Sequence, residues 1–91
     1  MEIVWSERPL ARLVEIREFA ADKPDAASRL ATRIVSIVAT LAIRPHLGRT
    51  GAVPGLREIV IGGTPYIVVY RVGRKRVTIL TVWHAAQRRK R

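Results

Sequence analysis

The sequence has no cysteine, a single phenylalanine, two histidines and only seven acidic residues against seventeen basic ones. Without thiols, disulfides and thiolate metal sites are excluded together, and a small chain without such staples fits a reducing compartment. The expected location is cytoplasmic. His46 stands alone in a loop beside Pro45, with no second ligand cluster near it, so neither a metal nor a cofactor is expected. Long apolar runs are also missing. The most apolar stretch, IVSIVATLAI, has ten residues and polar breaks, too few to span a bilayer. The opening MEIVWSERP carries an early acid and no apolar h-region, so no signal peptide is expected there.

The shortage of acid leaves a net charge of +10 on 91 residues, distributed unevenly. Residues 1–55 hold eight Lys/Arg and six Asp/Glu, a balance of +2; residues 56–91 hold nine against Glu58 alone, a balance of +8. Such asymmetry points to a polyanionic partner, either nucleic acid or an acidic protein segment, with plain solubility as the bland alternative. The basic clusters Arg74–Lys75–Arg76 and RRKR, which includes Arg88 and Arg89, are the candidate contacts. An apolar fraction of 48% is that of a folded globule. The length suits one domain over 1–91, with 85–91 as a basic C-terminal tail.

The patterning predicts a β-α-α-β-β-β order. MEIVW reads as a short strand, and Ser6 as an N-cap whose hydroxyl takes up a first-turn amide. Leu10, Leu13, Val14, Ile16 and Ala20 have helical spacing over about 7–21, and Pro9 is tolerated in the first turn. DKP breaks the pattern. Ala27, Leu30, Ile34, Ile37 or Val38, and Leu41 then form one stripe of a second helix over about 25–43, stopped by Pro45. RPHLGRTGAVPG (44–55) reads as a loop. Its GRTG lacks the GK[ST] ending of a phosphate loop and leads into no helix.

LREIVI (56–61), PYIVVYRV (65–72) and RVTILTVW (76–83) are β-branched and aromatic, with turns too short for anything but antiparallel pairing. The fold class is therefore α+β, an N-terminal helical hairpin packed on a small antiparallel sheet. If Gly73 pairs with Arg76, paired positions sum to 149. Ile67 then faces Val82 and neighbours His84 on an outer face. Tyr66, Val68, Tyr70, Val72, Val77, Ile79, Thr81 and Trp83 line the helix-covered face.

The element order, the stretches RPHLGRTGAVPGLREIV, PYIVVYRV and VTILTVWHAAQR, and weaker matches around DKPDAASRLATRI resemble the RelE/ParE toxins of type II toxin–antitoxin modules. The resemblance covers nearly the whole chain. It implies a growth-arresting toxin of the kind that stabilises plasmids, held inactive by a cognate antitoxin with an acidic amphipathic segment. ParE-like members poison DNA gyrase. RelE-like members cut mRNA on the ribosome with basic side chains and a C-terminal Tyr or His. By that resemblance His84 matches the catalytic position of the nuclease branch, and Arg49, Arg57 and Arg71 are candidate phosphate contacts. The place after the first Tyr of the strand, often Arg in the nuclease branch, is Ile67 here. That departure favours the gyrase branch, with a ribosome-dependent endoribonuclease and a non-toxic antitoxin-binding relic as alternatives. No membrane partner is expected.

Overall fold

A computed structural model describes residues 1–19, 24–51 and 53–84. Among these residues the order is β1 (Glu2–Trp5), α1 (Glu7–Phe19), α2 (Pro24–Thr40), β2 (Arg49–Thr50), β3 (Leu56–Val60), β4 (Tyr66–Val72) and β5 (Arg76–His84). The break between the helices, residues 20–23, and the tail, residues 85–91, lie outside the described residues. The α+β architecture is the one the patterning calls for, and the strands form one sheet in the order β1-β5-β4-β3-β2.

Four details depart from expectation. β1 joins the sheet parallel to β5, with Glu2 opposite Arg76 and Trp5 opposite Ile79, so the sheet is mixed. Both helices lie between these two strands in the chain, ample length for the crossover a parallel pair requires. Within the expected loop, Arg49 and Thr50 pair antiparallel with Glu58 and Arg57 and make a two-residue edge strand. α2 ends before Ile43, because the amides of Leu41, Ala42 and Ile43 bond three residues back, as in Leu41 N–H to Val38 O at 2.9 Å. This tightened last turn is a common way to close a helix.

The fourth departure is a bulge. Val72↔Val77, Arg71↔Thr78 and Tyr70↔Ile79 follow the expected sum of 149, but Val69 pairs with Thr81, Val68 with Val82, Ile67 with Trp83 and Tyr66 with His84. Leu80 is the extra residue, and an extra residue in one strand exchanges the faces of everything beyond it. Val82 and His84 therefore turn to the helix side, while Thr81 and Trp83 turn outward. Ser6 sits opposite the bulge. Its backbone N–H and its Oγ both donate to the Ile79 carbonyl, so its hydroxyl ties β1 to β5.

The core lies between α2 and the sheet. Ile34, Val38 and Leu41 meet Ile61, Val68, Tyr70, Val77, Ile79 and Val82, all at most 3% exposed, with Trp5, Leu13 and Tyr66 packed at the margin. Tyr70 carries a second duty. Its hydroxyl accepts from Gly48 N–H at 2.8 Å and donates to the Pro45 carbonyl at 2.9 Å, pinning the segment after α2 to the sheet.

Candidate functional site

The residues singled out by sequence separate into two groups at opposite ends of β4. At the first end, the bulge brings His84 against Tyr66, ring centroids 5.3 Å apart and planes at 86°. This edge-to-face arrangement is a favourable aromatic geometry. Both residues are half-buried, and both lie on the face that Val68 and Val82 share with α2. The expected neighbour, Ile67, stands on the opposite face beside Trp83 and is 8% exposed.

At the second end lie the arginines. Arg57 pairs with Tyr70 in the ladder, and its guanidinium donates to the Gly48 carbonyl at 2.8 Å, which makes it a brace of the Pro45–Gly48 segment. Arg49 forms an ion pair at 3.5 Å with Glu58, a carboxylate buried to 7% exposure on the outer face. Arg76 approaches Glu2 at 3.9 Å across the parallel pair. Arg71, Arg74 and Lys75 are exposed around the β4–β5 turn. Arg88 and Arg89 lie outside the described residues. From Tyr66 to Arg71 is five steps of β4, about 17 Å at strand rise. His84 and the arginines are therefore not brought together around one reacting phosphate, which would need an acid, a base and a charge clamp within a few ångströms.

Among the described residues no three His, Cys, Asp or Glu side chains converge as a metal site. No described helix is long and apolar enough to cross a membrane. The titration of Tyr70 is moved. Burial pushes its phenol above the ordinary 10.0, opposed by the Gly48 N–H and by the Arg57 charge.

Two surface depressions were not anticipated. One lies between α1 and the end of β5, lined by Arg8, Ala11, Arg12, Glu15, Thr81 and Trp83. The other, about 710 Å³, lies between α2 and the β3–β4 turn, with Asp25, Arg29, Leu30, Thr32, Arg33 and Thr64 on its walls. Arg29 and Arg33 are four apart on one helix face, a repulsive spacing for like charges. The signal was present in the sequence, but it becomes a groove only once the Gly62–Gly63 turn is placed beside Arg33.

The comparisons with known proteins agree with one another. The model of the family described as "ParE toxin of type II toxin-antitoxin system, parDE" matches residues 3–89. Toxin Y4kP of Sinorhizobium fredii is 46% identical over 86 residues, covering 93% of this chain and 88% of that protein. Toxin RelE2 of Caulobacter vibrioides is 38% identical over 87 residues, covering 94% and 97%. A solved structure described as the chromosomal ParDE TA system from P. aeruginosa superposes with a TM-score of 0.82 at 26% identity, over 92% of this chain and 95% of the matched one.

Proposed function

The chain belongs to the ParE toxin family of type II toxin–antitoxin systems, and from this premise we propose that it acts as a ParE-like inhibitor of DNA gyrase, neutralised by an acidic cognate antitoxin. It does so as a binding protein and not as a nuclease. The observation that supports this reading is the placement of His84. The Leu80 bulge turns it to the helix side against Tyr66, five steps along β4 from Arg71. Arg57 and Arg49 are committed to Gly48 and Glu58. A phosphodiester-cleaving constellation needs these groups around one point, whereas a docking protein needs only a shaped, charged surface. A gyrase target also places the site of action in the cytoplasm.

The deciding experiment adds purified toxin to gyrase and supercoiled or relaxed plasmid, with a parallel toeprinting arm on translating ribosomes. Loss of supercoiling or accumulation of gyrase-cleaved DNA is the expected result. Normal gyrase activity at saturating toxin overturns the proposal, and toxin-dependent cuts in ribosome-bound mRNA install the nuclease in its place.

A further inference from the structure

The exposed side of α2 differs from the rest of this basic surface. Between Arg33 and Arg44 the sequence runs ten residues without a charge, IVSIVATLAI. Ile34, Val38 and Leu41 are spent on the core, but Val35, Ser36, Ala39, Thr40 and Ile43 face solvent. Val35 is 46% exposed and Ile43 is 86% exposed, the largest value among the exposed large hydrophobics of the described residues. Val35 and Ala39 are four apart and so lie along one side of α2, and Ile43 follows in the tightened turn just past its end.

The end of this stripe is widened by neighbours. The Met1 ammonium donates to the Ala42 carbonyl at 2.7 Å, which holds Met1 (42% exposed) beside Ile43. Leu47, 49% exposed, follows in the next turn. A soluble surface scatters its apolar residues singly, and a contiguous apolar strip rimmed by polar groups marks an interaction site.

We propose that this α2 stripe is the seat of an amphipathic segment of the antitoxin, apolar in the middle and carrying a carboxylate towards each end. The proposal rests on the toxin reading above and adds which surface is used. Charge decides the occupant. Arg33 and the neighbouring Arg29 stand at one end of the strip, and Arg44 stands at the other, all exposed. Arg44 lies eleven positions after Arg33, seven of them within α2 and the rest in the tightened turn beyond it, roughly 16–19 Å at α and 3₁₀ rise, a span matched by about three turns of a partner helix. A second copy of this chain would set arginine against arginine in either orientation, a like-charge cost that disfavours self-association. An acidic partner meets attraction at both ends and apolar contact between them. The groove beside Arg33, with Leu30 and Thr64 on its walls, extends the seat towards the β3–β4 turn.

The test uses the full chain and the purified antitoxin encoded beside it, with Kd from titration calorimetry. Ile43→Asp and Val35→Asp change exposed positions, and circular dichroism checks that both variants stay folded. The expected loss of affinity is about tenfold or more for each, as for a central interface residue. Arg33→Glu with Arg44→Glu should add a loss that shrinks at high salt. Hydrogen exchange should show antitoxin-dependent protection of residues 32–44. Wild-type binding with unchanged Kd in both Asp variants, or protection confined to the strands, overturns the α2 assignment while leaving the toxin reading intact. Absence of any wild-type binding fails the toxin reading itself. A wild-type dimer that Ile43→Asp abolishes overturns the proposal in favour of a second copy.

Discussion

Tyr70 and Gly48 are bonded through the centre of the molecule: the Gly48 N–H donates to the Tyr70 hydroxyl at 2.8 Å, and no larger residue fits at position 48. A Cβ there would stand 2.5 Å from the phenolic oxygen and 2.6 Å from the Glu58 carbonyl. The same hydroxyl donates to Pro45, so one side chain satisfies two backbone groups. Tyr70→Phe leaves both groups without their partner and should cost about 1–3 kcal/mol of stability, read from urea unfolding. Gly48→Ala should cost about 1–3 kcal/mol through overpacking, because the Glu58 carbonyl is backbone and cannot swing aside. Unchanged midpoints in both variants would mean that the Pro45–Gly48 segment is not held by this contact.

Alkaline unfolding should carry the signature of the same residue. Burial raises the Tyr70 pKa above 10.0, so the folded state keeps the phenolic proton where the unfolded chain releases it. The stabilisation is full below the unfolded pKa of about 10 and is lost as pH rises from there through the raised folded value. Denaturant midpoints of the wild type should therefore fall above pH ~10, with a shallower fall in Tyr70→Phe. Parallel curves for the two proteins would refute the assignment.

Deleting Leu80 tests the bulge. Without the extra residue, Thr81 follows Ile79 directly and keeps Val69 as its partner, so a regular ladder continues with Val82 and His84 still on the helix side. Val82, 3% exposed in the core, stays buried, and the thermal midpoint should move by no more than a few degrees. A collapse in stability would show that the unpaired residue itself, and not the pairing on either side of it, holds the end of β5.

His84→Ala should leave toxicity intact. The substitution removes the edge-on contact with Tyr66, worth about 0.5–1.5 kcal/mol, and a growth-arrest assay on induction should register little change. Abolished toxicity in a folded variant would return His84 to a chemical role. The readout that separates chemistry from packing is His84→Phe, which restores an aromatic edge but cannot carry a proton near neutral pH.

Affinity for the antitoxin should weaken with salt without vanishing. Screening acts on the arginines that flank the contact, while buried apolar area is insensitive to it. Kd measured across sodium chloride concentrations should rise and then level off. A flat series would remove the electrostatic part of the interface.

Much of the architecture was legible because it depends on period. The 3-and-4 spacing of Leu30, Ile34, Val38 and Leu41 marks the buried face of α2, and the alternation of Val68 and Tyr70 marks that of β4. What escaped has no periodic signature. Arg49 and Thr50 look like any loop dipeptide, and become a strand only because β3 supplies partners. Leu80 is an ordinary strand residue, and nothing in RVTILTVW says which position will be left unpaired. That single uncertainty carried the candidate site with it: His84 was expected beside Ile67, and a one-residue register change sets it against Tyr66.

The parallel pairing of β1 with β5 bears on the order in which this protein assembles. β5 stands between β1 and β4 in the sheet, yet it emerges from the ribosome after both. β4 and β5 form a local hairpin, whose closure is fast. β1 must hold its place without a neighbour until seventy-odd residues later its partner appears, since Glu2 pairs with Arg76. Contacts of such long separation slow folding. During translation the apolar face of α2 destined for β5 stays uncovered. The native toxin thus exists only once its last strand has been made, an interval in which an antitoxin already present can meet the chain before it is able to act.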